Sequence, residues 1–348
     1  MEKIRLGKTD MMVTKLGFGG IPIQRIAEDK AIAVVTRVLE LGITFIDTAN
    51  AYTNSEERIS KAISGQRERL IIATKTQSRT AEGVAEHLEL SLNRLGTDYI
   101  DLYQFHNVSN SNTLEQILKP GGPMSVVEKE KRKGRIRHIG VSSHQIDTAI
   151  EIVKSGRFET IMFPFNFISD EAAIELIPLA RKHDVGFIAM KSMAGGLIDN
   201  ASIAFKFFSK FPDVLPIPGI EKSTEIEEII RVLEAGEEMT EAEKLEMQQI
   251  KQEVGSTFCR RCEYCQPCTA EIPISTVMQF ASIMKRMPPQ RIFTGRIAAA
   301  LEKAADCVEC GDCEGRCPYH LPIMEMVRKN AKWYQSEKKK HPAIVSSA

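Results

Sequence analysis

The segment ITFIDTANAY, residues 43–52, joins an apolar run to a polar loop, with Asp47 at the end of the run and Tyr52 five residues later. This pattern recurs, because short β-branched or aliphatic runs alternate with stretches of helical spacing such as residues 29–41 and 81–95. Strands are predicted at residues 15–19, 43–47, 70–74, 99–104, 136–141, 160–163, 186–190 and 214–217. Eight strands, each followed by a helix, predict an α/β fold of the (β/α)8 TIM-barrel type.

An alternating α/β chain could also form a doubly wound dinucleotide fold, which carries a G-x-G-x-x-G turn between a strand and a helix. The nearest glycines, Gly17, Gly19 and Gly20, have a different spacing, so the sequence favours the barrel. Residues 3–13 precede the first barrel strand and contain the turn Gly-Lys-Thr-Asp between two short runs. They predict a hairpin that covers the bottom of the barrel.

Composition restricts the class of protein. Lys and Arg together number 46, as do Asp and Glu, so the chain lacks the basic excess expected of a nucleic-acid-binding protein. Its first residues, MEKIRLGKTDMM, contain no apolar stretch of the kind found in signal peptides. No run approaches the roughly eighteen apolar residues that a membrane span requires. We expect a cytoplasmic protein with neither a nucleic-acid partner nor a membrane partner.

All eight cysteines fall in two short runs, FCRRCEYCQPC at residues 258–268 and CVECGDCEGRCPYH at residues 307–320. Cytosolic cysteines stay reduced, so such a framework indicates a metal site more than a set of disulfides. Zinc is one candidate, since a pair of C-x2-C motifs is also a zinc-site spacing. The second run matches the C-x2-C-x2-C-x3-C-P spacing of bacterial [4Fe–4S] ferredoxins, which favours iron–sulfur clusters. Haem attachment would need C-x-x-C-H, which is missing.

The fourth cysteine of each run in two-cluster ferredoxins binds the other cluster. By this resemblance one [4Fe–4S] cluster is expected on Cys259, Cys262, Cys265 and Cys317, and the other on Cys307, Cys310, Cys313 and Cys268. The first run departs from the pattern, because Pro267 precedes Cys268 and Thr269 follows it. The predicted organisation is a barrel at residues 1–236, a connecting helix at 237–254, a mostly helical ferredoxin-like domain at 255–337 and a flexible tail at 338–348.

Polar residues or glycines follow most of the predicted strands. They are Asp47 with Tyr52, Lys75, His106, Ser142 with Ser143, Asn166, Lys191 and Gly219. The ends of the parallel strands of a barrel meet at its C-terminal face, and barrel enzymes carry their catalytic residues there. Each residue alone could be an ordinary capped turn or a solvated side chain, but together at one rim they indicate an active site.

At these residues the chain resembles the aldo-keto reductase superfamily over most of residues 3–236. The matching segments are ITFIDTANAY, IIATKT, DLYQFHN, IRLGKTDMMVTKLGFGG and RIRHIGVSSH. The resemblance implies an NAD(P)H-dependent oxidoreductase with the catalytic residues Asp47, Tyr52, Lys75 and His106. With its cysteine runs, the chain resembles in particular the iron–sulfur members of this superfamily, which carry a C-terminal ferredoxin-like domain with two [4Fe–4S] clusters.

The same four residues suit carbonyl reduction on physical grounds. A free phenol with a pKa of about 10 is a poor acid at neutral pH. An ammonium about 4 Å from its oxygen, at an effective dielectric of about 20, favours the phenolate by about 4 kcal/mol. Tyr52 is therefore expected to act as the general acid and Lys75 to tune it. Asp47 would orient Lys75, and His106 would polarise the carbonyl.

For the nicotinamide cofactor, NAD or NADP, the resemblance implies contacts over the top of the barrel. Ser142, Ser143 and Asn166 are expected at the carboxamide, and Lys191, Gly219, Lys222 and Glu228 complete the predicted binding set. The sequence departs from the family at Glu221, where many members have a serine or a basic residue, and at Ile229, where they have asparagine. The carboxylate of Glu221 would repel a 2′-phosphate, with Lys222 as its local compensation.

The predicted function is reduction of an aldehyde or ketone to the alcohol by hydride transfer from NAD(P)H, beside a domain with two [4Fe–4S] clusters. The alternative is an electron-transfer or redox-sensing protein whose clusters exchange electrons with a protein partner while the barrel turns over little. A hydride carries two electrons and a cluster passes one, and the sequence has no flavin signature to convert between them. A structural role for the clusters therefore stays open. The sequence does not identify the small carbonyl substrate.

Overall fold

The structure, a computed structural model, describes residues 1–346, and these fall into two compact units. The first unit ends at Lys244 and the second begins at Leu245. Across the described residues, every helix is too short or too polar to cross a bilayer.

The first unit contains ten strands. They are β1 (Lys3–Arg5), β2 (Met12–Thr14), β3 (Phe18–Gly19), β4 (Phe45–Asp47), β5 (Ile71–Thr76), β6 (Ile100–Phe105), β7 (Ile136–Ser142), β8 (Thr160–Pro164), β9 (Gly186–Met190) and β10 (Val214–Ile217). Strands β3 to β10 form one parallel sheet in which neighbours in the chain are neighbours in the sheet. The predicted eight barrel strands are all present, and most of their bounds agree to within two residues.

The sheet closes where β3 meets β10. The backbone N–H of Gly17 donates to the carbonyl of Pro216 at 3.0 Å, and that of Gly19 donates to Pro218 at 2.8 Å. A Cβ on Gly19 would lie 2.8 Å from the carbonyl oxygen of Pro218, so only glycine allows this approach. The predicted TIM barrel is thereby confirmed, with a first strand shorter than the predicted residues 15–19.

Nine helices of the first unit connect the strands or follow them. They are α1 (Glu28–Glu40), α2 (Ser55–Ala62), α3 (Ala81–Leu95), α4 (Ser111–Leu118), α5 (Pro123–Arg132), α6 (Ile146–Lys154), α7 (Leu176–Lys182), α8 (Ala201–Phe208) and α9 (Ser223–Ala235). The helix predicted at residues 81–95 coincides with α3, which begins at the hydroxyl cap of Thr80 and ends at the left-handed Gly96.

The predicted hairpin at residues 3–13 closes the amino-terminal end of the barrel. Strands β1 and β2 pair antiparallel, and Ile4, Leu6 and Val13 join the buried interior of the barrel. Outside the core, the guanidinium of Arg5 lies 2.6 Å from Asp184, just before β9. The barrel interior is therefore a packed core at this end, which leaves the opposite rim for chemistry.

The second unit is helical. Helix α10 (Glu241–Gly255) leads into it, and then follow α11 (Ile274–Met278), α12 (Phe280–Arg286), α13 (Pro289–Phe293), α14 (Gly295–Lys303), α15 (Asp312–Gly315), α16 (Ile323–Lys338) and α17 (Pro342–Ser346). Its core joins Val277, Phe280, Leu301, Val327 and Tyr334 with two of the cysteines. Helix α17 falls in the segment predicted as a flexible tail, of which residues 347 and 348 lie outside the described part of the chain.

Glu159, just before β8, holds several elements of the barrel together. Its carboxylate accepts hydrogen bonds from Lys131 at 2.6 Å and from the backbone N–H of Ile139 at 2.9 Å, and lies 2.7 Å from Nδ1 of His138. Burial opposes the charge, but these hydrogen bonds lower the pKa of Glu159 to about 2. The ionised carboxylate thus stabilises the junction of α5, β7 and β8.

We expect Glu159→Gln to lower the free energy of unfolding by about 2 kcal/mol at pH 7, because charged hydrogen bonds are lost. The folded pKa lies below the ordinary value of 4.5, so this stabilisation is present above pH 4.5 and disappears as the pH falls towards 2. Urea unfolding at pH 7 and at pH 3 measures the difference. Glu128→Gln removes an exposed ion pair with Arg157 and is the control, expected to change stability by less than about 1 kcal/mol. Equal losses for both variants would contradict this account.

Candidate functional site

Strand alternation places the polar candidates one layer above the apolar core. Phe45, Ala73 and Leu102 fill the barrel interior, and the residues two positions later are Asp47, Lys75 and Gln104. Because side chains two apart in a strand share a face, these three also point into the barrel. In the sheet, Lys75 is the register partner of Gln104, and Asp47 is the partner of Ala73.

Asp47 and Lys75 form a buried ion pair. Nζ of Lys75 lies 2.5 Å from Oδ2 of Asp47 and donates to the carbonyl of Thr48 at 2.6 Å. Lys75 is 1% exposed and Asp47 is 3% exposed, so water screens the pair little. The amide of Gln104 donates to the other carboxylate oxygen at 3.1 Å, which fixes the orientation of Asp47.

This environment keeps Lys75 charged. Burial acts to lower the pKa of Lys75, but the charges of Asp47 and Tyr52 and the hydrogen bond to Asp47 raise it above its ordinary value. The Lys75 ammonium and an ionised Tyr52 therefore stabilise each other.

Tyr52 and His106 meet beside the ion pair. Nζ of Lys75 lies 5.2 Å from the centre of the Tyr52 ring. The rings of Tyr52 and His106 pack edge to face, with their centres 5.8 Å apart. The structure thus brings together the four residues predicted as catalytic, although they come from three separate strand ends and one loop.

Three neighbours of this group could not be identified by the pattern of polar residues at the predicted strand ends. Gln104 could have been found, because it lies in β6 two residues after Leu102, and side chains two apart in a strand share a face. The guanidinium of Arg79 donates to the backbone carbonyl of His106 at 2.6 Å. Glu56 is 1% exposed and accepts a hydrogen bond from Thr74 at 2.7 Å. The contacts of Arg79 and Glu56 depend on loop and helix packing, which the sequence pattern does not reveal.

The residues predicted at the carboxamide lie at the ends of β7 and β8 and make internal contacts. The Ser142 hydroxyl accepts a hydrogen bond from the backbone N–H of Asn107 at 2.8 Å. The Ser143 hydroxyl contacts the carbonyl of Gln145 at 3.2 Å. The Asn166 amide donates to the carbonyl of Lys191 at 2.9 Å and accepts from the N–H groups of residues 168 and 169. All three side chains are thereby fixed at the rim.

The loop after β10 leads from Gly219 at the barrel seam to the start of α9. There the Glu225 carboxylate accepts hydrogen bonds from the backbone N–H groups of Glu221 at 2.8 Å and Lys222 at 3.1 Å. A carboxylate of the chain therefore already occupies part of this positive helix end, a kind of site that can bind phosphate.

Glu221 has a cationic neighbour that the sequence did not reveal. The guanidinium of Arg25 lies 3.6 Å from Oε1 of Glu221, so Lys222 is not its only compensation. Burial raises the pKa of Glu221, and the charge of Arg25 opposes the rise. Glu228 lies further along α9, where it is exposed and lines a surface pocket with Lys206 and Arg231.

In the second unit, four cysteines from the two runs line one pocket. Cys268 of the first run lies there with Cys307, Cys310 and Cys313 of the second. Ile272, Ile274, Ile323 and Val327 supply apolar walls. Four thiolate donors in an apolar setting fit a [4Fe–4S] cluster. This grouping is the one predicted from the ferredoxin resemblance.

The other four cysteines also lie near one another. Burial raises the pKa of Cys262, and the neighbouring Cys259 and Cys317 raise it further. Burial together with Cys259 and Cys262 raises the pKa of Cys265 to about 12. Several thiolates side by side repel one another, which makes these thiols hard to ionise. A bound metal favours the ionised form, because its positive charge offsets this repulsion.

Comparison with known proteins gives a match in each unit. The sequence profile of the "Aldo/keto reductase family" matches residues 15–209, and that of the "4Fe-4S dicluster domain" matches residues 258–322. The solved structure of an aldo-keto reductase from Bacillus halodurans, AKR11C1 in its holo form, is similar with a TM-score of 0.63 and 25% identity. The similarity covers 72% of this chain and 96% of that one.

Two of the relatives similar in sequence to this chain are bacterial proteins. An uncharacterised oxidoreductase of Bacillus subtilis (strain 168), YqkF, is 31% identical over 225 residues, which are 59% of this chain and 71% of the relative. The protein of Escherichia coli (strain K12) named NADH-specific methylglyoxal reductase is 28% identical over 229 residues, which are 57% of this chain and 69% of the relative.

Proposed function

Because the chain belongs to the aldo/keto reductase family, we propose that its barrel reduces an aldehyde or a ketone to the alcohol with NADH or NADPH. The observation that carries the proposal is the buried ion pair of Lys75 and Asp47 beside Tyr52 and His106. A nicotinamide dinucleotide, when bound, supplies the hydride. The chain's own residues supply the proton and the positive environment for the developing alkoxide.

Tyr52 is the proposed general acid. A phenol gives up its proton readily only where the phenolate is stabilised, and the buried ammonium of Lys75 provides that stabilisation. Asp47 keeps Lys75 charged and in place, and Gln104 keeps Asp47 in place. The proton that reaches the product oxygen therefore comes from Tyr52.

His106 is the proposed hydrogen-bond donor to the carbonyl oxygen. Its ring packs against that of Tyr52, so one substrate oxygen could contact both groups. A donor aimed at an oxygen that gains negative charge stabilises the transition state more than the ground state. The bond from Arg79 to the His106 carbonyl supports the backbone that carries the ring.

The dinucleotide would lie over the rim between the ends of β7 and β10. Ser142, Ser143 and Asn166 are the proposed carboxamide contacts, since their hydroxyl and amide groups can donate to and accept from an amide. Lys191, Gly219, Lys222 and Glu228 are the proposed contacts to the rest of the cofactor.

We propose further that NADH is preferred to NADPH. The carboxylates of Glu221 and Glu225 lie at the start of α9, where a 2′-phosphate would need positive charge, and the neighbouring cations Arg25 and Lys222 do no more than balance them. The relative named as NADH-specific supports this preference.

The second unit would hold two [4Fe–4S] clusters, which supply one-electron chemistry when bound. Cys259, Cys262, Cys265 and Cys317 are the proposed ligands of one cluster, and Cys268, Cys307, Cys310 and Cys313 those of the other. The match to the dicluster domain and the pocket shared by both cysteine runs support this assignment.

We expect Tyr52→Phe to lower kcat for carbonyl reduction by about 10²- to 10⁴-fold, because the proton donor is lost. The Kd for NADH should change little. Nucleotide oxidation with a panel of small aldehydes and ketones that includes methylglyoxal measures the first, and fluorescence titration with NADH measures the second. Tyr99→Phe is the matched control, since Tyr99 directly precedes β6, at the end of that strand opposite to His106, and its ring contacts Arg67 and Arg137. Full activity of Tyr52→Phe would refute the assignment.

We expect Glu221→Arg to raise the ratio of kcat/KM for NADPH to that for NADH about tenfold or more, because a repulsive charge becomes an attractive one. Steady-state kinetics with each nucleotide measure the ratio. Glu234→Arg, at the opposite end of α9, makes the same change in net charge and should leave the ratio unchanged. The same ratio in wild type and Glu221→Arg would contradict the role of Glu221.

A further inference from the structure

Thr269 stands where the two cysteine runs differ. In the second run the last cysteine is followed by Pro318, and in the first run Cys268 is followed by Thr269. Proline offers neither a hydroxyl nor a backbone N–H, whereas threonine offers both. The two predicted clusters therefore differ in the hydrogen-bond donors placed beside them.

The structure brings the hydroxyl of Thr269 to a cysteine of the other run. Oγ1 of Thr269 lies 3.6 Å from Sγ of Cys310, across 41 residues of sequence. Both residues line the pocket that contains Cys268, Cys307 and Cys313. The distance suits a hydrogen bond that involves sulfur.

Cys310 is also the most exposed of the four cysteines that line this pocket. All eight cysteines lie in the described part of the chain, and among them Cys310 alone is exposed. Cys265 and Cys317, in the other group, are buried. An electron that enters or leaves from outside would therefore reach the Cys310 side of this cluster first.

Once Cys310 binds iron as a thiolate it can only accept a hydrogen bond, so the Thr269 hydroxyl must be the donor. We propose that Thr269 is a positioning residue that donates this bond to the Cys310 thiolate and raises the reduction potential of the cluster on Cys268, Cys307, Cys310 and Cys313. The inference rests on the cluster assignment made under the proposed function.

The direction of the expected change in reduction potential follows from charge. One-electron reduction adds negative charge to the cluster and its thiolates, and a donor to sulfur stabilises the more negative state. Removing the hydroxyl should therefore make this cluster harder to reduce. The other cluster has Pro318 at the corresponding place and should not respond.

The test is an anaerobic potentiometric titration of the full-length protein, with dithionite as the reductant and EPR as the readout. We expect Thr269→Val to lower the midpoint of one cluster and leave the other unchanged. At a fixed potential the ratio of reduced to oxidised cluster should fall about tenfold, which corresponds to about 59 mV for a one-electron couple. Iron and sulfide content establishes that both clusters are present.

Two variants separate the hydroxyl from the rest of the side chain. Thr269→Ser keeps the donor and should restore the wild-type midpoint. Thr294→Val removes a hydroxyl that donates to the carbonyl of Gln290, and should shift neither midpoint. Should Thr269→Val fail to load both clusters, Thr269→Ala is titrated in its place with the same expectation.

Unchanged midpoints in a fully loaded Thr269→Val or Thr269→Ala variant would overturn the role of Thr269. An equal shift of both clusters would overturn it as well. A wild-type protein that assembles fewer than two [4Fe–4S] clusters would instead contradict the proposed function, so the two failures are distinguishable.

Discussion

A lysine ammonium that is 1% exposed needs a counter-charge, and the ion pair of Lys75 with Asp47 meets this requirement. Removing either partner would leave the other buried and uncompensated, which typically costs about 3–5 kcal/mol. The pair therefore makes the interior of the barrel polar and charged at the carboxyl ends of the strands. At the amino-terminal end the interior is filled with apolar residues. The proposed role of Tyr52 as proton donor depends on this pair, because the ammonium can stabilise a phenolate only if it stays charged.

The two units would carry different redox chemistry on one chain. A hydride transfers two electrons in one step, and a [4Fe–4S] cluster accepts one electron at a time. In the proposed mechanism the first unit would suffice for carbonyl reduction, since the proposed acid, cation and polariser, Tyr52, Lys75 and His106, all belong to it. The cysteine pocket with its exposed Cys310 is suited to exchange with a one-electron carrier. In this account the clusters and the reductase site are chemically separate functions.

The barrel could be predicted from the sequence because parallel strands with helical connections leave a strong periodic pattern, and the candidate catalytic residues because they follow those strands. Lys75 and Asp47 are 28 residues apart, yet strand alternation alone places both inside. The contact of Arg25 with Glu221 and that of Thr269 with Cys310 join loops with no periodic pattern. Such contacts are set by turn geometry and tertiary packing, which the sequence pattern does not encode. The shortened first strand has the same origin, because its backbone bonds at the seam are set by the barrel's closure.

The most direct test of a self-contained reductase site follows the hydride itself. The cluster-loaded protein is given NADH deuterated at the transferable C4 position together with a small aldehyde, and the alcohol is analysed by mass spectrometry while the visible absorbance of the clusters is recorded. We expect one deuterium on the carbinol carbon for each NADH oxidised, with unchanged cluster absorbance. Unlabelled alcohol accompanied by bleaching of the clusters would contradict it, because the electrons would then have travelled through the iron–sulfur domain.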